Sequence, residues 1–102
     1  MPKAVVCREL GPPEGLRLET FPAAALTPGQ VRVAIRAAGL NFPDVLMVAG
    51  QYQLKPPLPF TPGVEAAGDV VEVNDAKGVA VGDKVIVKMR HGAYSDEAVA
   101  TP

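Results

Sequence analysis

Glycine and proline constrain this chain most. Ten of the first and eleven of the second are spread over 102 residues, and they cut the sequence into short runs. Between the cuts the pattern is that of strands. Residues 3–8 carry the β-branched pair Val5 and Val6 and are stopped by Gly11-Pro12-Pro13, which predicts a first strand. Residues 16–20 alternate apolar and polar, predicting a second strand with one wet face. A loop punctuated by Pro22, Pro28 and Gly29 follows. Val31, Val33, Ile35 and Ala37 then point one way while Arg32 and Arg36 point the other, the clearest half-buried strand in the sequence. Residues 65–73, 84–89 and 93–100 read as further strands, with a turn region over 74–82. Gly68, inside the first of these, predicts a bulge or a close approach of backbone.

Residues 38–68 break the pattern by mixing a helical turn, a proline run and several glycines. Residues 43–48 predict a short helix, opened by Pro43 near its first position and closed by Gly50. Residues 54–63 contain Pro56, Pro57, Pro59 and Pro62 and are expected to run extended and stiff. Leu58 and Phe60 within that run favour a cleft wall packed on its own domain over an exposed proline ligand. Six or so short strands with one helix make the chain mainly β, a small barrel or sandwich. At this length the whole of 1–102 is one domain.

Charge and cysteine use narrow the function. The net charge is −1 with both signs interspersed, so neither nucleic acid nor an anionic membrane surface is an expected partner. Cys7 is the sole cysteine, which excludes an internal disulfide framework and a cysteine-rich zinc site. It reads as a small buried hydrophobe. His91 is the sole histidine, and a metal site needs several ligands, so no metal is expected. Arg8 and Glu9 interrupt the region where a signal peptide needs an apolar core, and no segment approaches a membrane span. The expected setting is cytoplasmic.

Three polar side chains in residues 38–68 could carry chemistry. Asn41 and Asp44 stand three apart at the start of the predicted helix. They can form a capping box, with Asn41 accepting from a first-turn N–H and Asp44 reaching back. The same placement lets the Asn41 amide donate to a substrate or cofactor carbonyl, with Asp44 orienting it. Tyr52 lies between Gly50 and the proline run. It can bury its ring with the hydroxyl wet, or turn the hydroxyl into a pocket as a proton donor at neutral pH. Both readings stay open for each. No G-x-G-x-x-G follows a strand and opens a helix, so the chain shows no dinucleotide-binding unit of its own.

From KAVVCRELGPPEGL to GAYSDEAVA the sequence resembles the N-terminal, GroES-like catalytic domain of the medium-chain dehydrogenase/reductase superfamily. NFPDVLMVAGQY looks like the N-x-x-D…G-x-Y pattern of its zinc-free quinone oxidoreductase branch. Zinc alcohol dehydrogenases of the superfamily have a cysteine in the stretch matching 39–44 and a histidine in the stretch matching 62–65. Here those positions are Asn41 and Val64, with the neighbouring Glu65 kept, so the resemblance implies no zinc. It implies a GroES-like, partly open β-barrel with one short helix. It also implies hydride transfer from NADPH to a quinone, enone or other conjugated carbonyl compound. Without a metal, the developing oxyanion must be met by hydrogen-bond donors. By resemblance these are Asn41 and Tyr52, both beside the nicotinamide ring, with Tyr52 matching a proton donor of the related enoyl thioester reductases. Asp44 is given an orienting or helix-end role. Members of the family continue into a Rossmann domain that binds NADP(H). The expectation is therefore a portion of a longer, homo-oligomeric reductase, inactive as these 102 residues. The alternative is a stand-alone GroES-like binding module resembling a co-chaperonin.

Overall fold

The structure, a computed structural model, describes residues 2–53 and 55–102. Among the described residues, six strands and one α-helix follow in chain order: β1 (Lys3–Val6), β2 (Arg17–Thr20), β3 (Gln30–Ala38), α1 (Phe42–Ala49), β4 (Glu65–Asn74), β5 (Lys84–Lys88) and β6 (Glu97–Ala100). A 3-10 turn, Pro13–Gly15, lies between β1 and β2. The strands form an antiparallel β1-β2 ribbon and a four-stranded sheet of order β5-β4-β3-β6. The sheets meet where Val5 N–H donates to Tyr94 O and Asp96 N–H to Lys3 O, each at 2.8 Å. They do not close into a full barrel, which matches the mainly β, partly open architecture expected from sequence.

Alternation builds the sheet's core. Val31 and Val33 on β3, Val70 on β4 and Val87 on β5 form one buried cluster, because residues two apart on a strand share a face. The opposite face of β3 is less wet than its pattern suggests. Arg32 is only 11 % exposed at its side chain. Its guanidinium donates to Glu72 and Glu97 at 2.9 Å each and to the carbonyl of Ala24. One arginine thus ties β3, β4, β6 and the preceding loop together.

Gly68 behaves as its position predicts. The β3–β4 register shifts between Ile35 and Ala37, opposite Gly68 and Ala67. A Cβ on Gly68 would lie 2.0 Å from the Ala34 carbonyl oxygen. The bulge itself lies on β3, where Arg36 has no partner, and Gly68 makes the close approach opposite it.

A second buried cluster, Cys7, Met47, Val48 and Phe60, lies under α1. The helix turns Asp44, Met47 and Val48 inward, an i, i+3, i+4 stripe that gives an amphipathic helix one buried face. Gly50 ends it in the left-handed region at φ 76, where glycine carries no Cβ penalty. Phe60 and Cys7 exchange backbone hydrogen bonds at 2.7 and 3.0 Å. Pro56, Phe60 and Pro62 are buried, so the proline run lies against its own domain through Phe60, whereas Leu58, expected to pack with it, is 44 % exposed. Leu54, at its start, is outside the described residues.

Two other local expectations fail. Leu18, placed by alternation on the inner face of β2, is 69 % exposed. The two-stranded ribbon carries no layer over that face, and it is Glu19, paired with Arg8, that is half-buried. The last strand also starts late, at Glu97. Ala93 and Tyr94 spend their N–H groups on Gly63 and Pro62, which bends the chain across the start of β4 before β6 can begin.

Candidate active site

The site forms where β3 ends, α1 begins and β4 begins. Asn41 is the N-cap of α1, with extended backbone at φ −128 and ψ 153. Asn41 and Asp44 stand in a capping-box arrangement, whose return arm runs from Asn41 N–H to Asp44 Oδ2 at 2.9 Å. Asp44 thus holds the backbone of Asn41. The amino end of the carboxamide points elsewhere: Asn41 Nδ2 donates to Glu65 Oε1 at 3.2 Å.

Asp44 is the buried charged residue among those described. Its Oδ2 also accepts from the Tyr94 hydroxyl at 2.7 Å, and the same hydroxyl lies 3.1 Å from the Gly39 carbonyl oxygen. Oδ1 has no hydrogen-bond partner among the described residues. A buried carboxylate held by one backbone donor and one phenol fixes the first turn of α1 against the segment before β6. The site therefore joins residues 50 positions apart in sequence.

Glycines make the room. A Cβ on Gly63 would fall 2.7 Å from Tyr94 Cδ1, and Gly63 has φ 102. No other residue type suits both the space and the backbone there. A Cβ on Gly39 would fall 2.5 Å from Glu65 Oε1.

Asn41 and Asp44 border a depression of about 320 Å³ whose walls are otherwise mainly apolar, including Leu40, Phe42, Val45 and Val48. Leu40 and Phe42 are 86 % and 72 % exposed, so an amide stands between two outward-facing apolar side chains. Tyr94 lines the same depression, and Tyr52 does not. Tyr52 is half-buried, its ring against the Cys7, Met47, Val48 and Phe60 cluster. The structure thus brings Asn41 and Asp44 together and sets Tyr52 on the neighbouring cluster, linked through Val48. Sequence reasoning missed Tyr94, which lay within a predicted strand. Glu65 was noticed only through a family resemblance. No group of three or more metal-ligating side chains occurs among the described residues.

Burial, then the hydrogen bond to Asp44 and its negative charge, push the Tyr94 phenol above its ordinary value. The sign of the stability effect follows. The folded chain keeps the Tyr94 proton at a pH where the unfolded chain loses it, near 10. Stability held below that pH is therefore lost as pH rises past it. Tyr94→Phe should cost about 1–3 kcal/mol at neutral pH, by leaving a buried carboxylate short of a donor. It should also flatten the fall of the urea midpoint between pH 8 and pH 11. An equal fall in both proteins would show that Tyr94 titrates alike folded and unfolded.

The comparisons with known proteins agree with this architecture. The alcohol dehydrogenase GroES-like domain family matches residues 27–100. A quinone oxidoreductase-like protein 2 homolog from Nematostella vectensis is 42 % identical over 95 % of this chain and 27 % of its own. The human synaptic vesicle membrane protein VAT-1 homolog is 40 % identical over 93 % of this chain and 25 % of its own. The chain thus spans about a quarter of the length of these curated relatives. The crystal structure of Escherichia coli quinone oxidoreductase complexed with NADPH superposes with a TM-score of 0.87. It is 33 % identical and is covered over 95 % of this chain and 30 % of that one. With the fold, the helix-start site and a family match over most of its length, this chain belongs to the alcohol dehydrogenase GroES-like domain family.

Proposed function

We propose that this domain forms one wall of the active site of an NADPH-dependent reductase that delivers hydride to a quinone or enone without zinc. The observation that carries the reading is the Asn41 carboxamide, held by Glu65 at the rim of an apolar depression. An apolar rim suits a flat, uncharged conjugated ring. An amide Nδ2 has two hydrogens, of which Glu65 takes one. The second is available to the oxygen on which negative charge develops, where a fixed donor outperforms water. The Tyr52 hydroxyl is the proposed second donor and proton source. Its place on the α1 cluster keeps it close to the helix that carries Asn41.

These residues fit the nicotinamide end of the cofactor and not its phosphates. The first turn of α1 carries Asp44, whose charge opposes an anion at the helix N-terminus. NADP(H) is therefore proposed to be bound mainly by a second, Rossmann-type domain, and the 102 residues alone to be inactive. Bound NADPH supplies the hydride. This domain's share is to orient the acceptor, cover one face from water and hold a donor at the acceptor oxygen. The full-length reductase is proposed to be a cytoplasmic homo-oligomer.

The test uses the full-length polypeptide with NADPH and a 1,4-benzoquinone. Asn41→Ala should lower kcat about a hundredfold, as loss of an oxyanion donor does, and prior chelation of metals should leave the rate unchanged. Tyr52→Phe should lower kcat with little change in binding if the hydroxyl gives the proton. Full activity in both variants would remove these residues from the chemistry.

A further inference from the structure

Asn41 can donate to an acceptor only if its carboxamide faces the right way, and a half-buried amide has two orientations related by exchange of O and N. We propose that Glu65 is the positioning residue that selects one of them, and that Gly39 is the floor on which it does so. The inference rests on the proposed role of Asn41 and assigns to Glu65 the orienting part that spacing alone suggested for Asp44.

Three observations converge. First, the carboxylate meets the amide through Oε1, 3.2 Å from Nδ2, while Asp44 is engaged with the backbone N–H of Asn41. An ionised carboxylate accepts and cannot donate. Only the N–H end of the amide can face it, because the flipped form would set two acceptors against each other. Second, Glu65 is uncommitted elsewhere: among the described residues, no salt bridge involves it. Its partner across the β4–β5 ladder, Lys88, forms none with it. Third, the Glu65 side chain lies against Gly39. A Cβ there would be 2.5 Å from Oε1 and 3.1 Å from both Cδ and Cγ of Glu65, and Gly39 N–H donates to the Glu65 carbonyl at 3.2 Å. The backbone of Glu65 is thus fixed by Gly39 and by β5, and its side chain lies against Gly39 and reaches Asn41. With one Nδ2 hydrogen taken, the planarity of the amide fixes the direction of the other.

Two substitutions separate orientation from mere contact. Glu65→Ala removes the acceptor. Glu65→Gln keeps the shape but can donate as well as accept, so both amide orientations become possible. In side-chain amide NMR spectra of the full-length polypeptide, Asn41 should give one rigid NH2 pair in the wild type. The pair should become mobile in Glu65→Ala and in Gly39→Ala, and two-state or averaged in Glu65→Gln, with the backbone signals of α1 unmoved. In the full-length enzyme, kcat should fall roughly tenfold to a hundredfold in Glu65→Ala, the range expected when a reacting group is held out of place. Glu65→Gln should be partly rescued, and KM for the quinone should be nearly unchanged in both. An unaltered Asn41 NH2 pair in Glu65→Ala would overturn the inference whatever the turnover. A freed pair with full turnover in both Glu65→Ala and Asn41→Ala would uphold Glu65 as the orienter and overturn instead the catalytic reading of Asn41.

Discussion

Gly68→Ala should destabilise the domain by more than about 3 kcal/mol, the upper end of what overpacking costs. The new Cβ would sit 2.0 Å from the Ala34 carbonyl oxygen, 2.9 Å from its carbon and 3.0 Å from Val33 Cγ1. The first two are backbone atoms, so no rotamer change relieves the clash. Gly68 pairs with Ile35 on β3 and Val85 on β5, and moving it disturbs ladders on both sides. Native domains hold only about 5–15 kcal/mol in total, so the variant should unfold at much lower urea or express insolubly. Gly11→Ala is the control. Nothing lies within 4 Å of its added Cβ, and the change should stay within about 0.5 kcal/mol. Equal urea midpoints for the two variants would mean that the strand shifts to absorb the methyl.

Met47→Ala should cost about 2–5 kcal/mol, the range for truncating a buried methionine or leucine. Among the described residues, Met47 is 1 % exposed and the largest of the fully buried side chains, and its cluster has three other buried members. An eight-residue helix cannot hold itself in water, so α1 depends on this contact. Met47→Leu, which conserves volume, should cost less than about 1.5 kcal/mol. Denaturation midpoints for the pair distinguish a cavity effect from a general intolerance at this position. If Met47→Ala matched Met47→Leu, the helix would be held by its caps and not by its core.

Much of this was legible in the sequence because the information was local. The alternation of Val31 and Val33 against Arg32, the proline and glycine bounding α1, and the glycine inside β4 each dictate a conformation within a few residues. Alternation misled at Leu18, since it says that a face exists but not that anything covers it. The site was half legible for the same reason. Asn41 and Asp44 are three apart and announce themselves as a pair. Glu65 and Tyr94 reach the same point from 24 and 50 residues away, through strand pairing and a bend that no local pattern encodes. The signals that could have pointed to them are Gly39 and Gly63, whose missing side chains are the spaces Glu65 and Tyr94 occupy.

Among the described residues, the two buried clusters share no member. The sheet rests on a layer of valines, whereas α1, with Asn41 at its head, rests on Cys7, Met47, Val48 and Phe60. Changes around the helix therefore do not have to be repaired in the sheet. Leu40, Phe42 and Val45, which line the depression, can therefore change while the valine layer of the β-scaffold stays as it is. Such modularity lets one architecture be retuned many times.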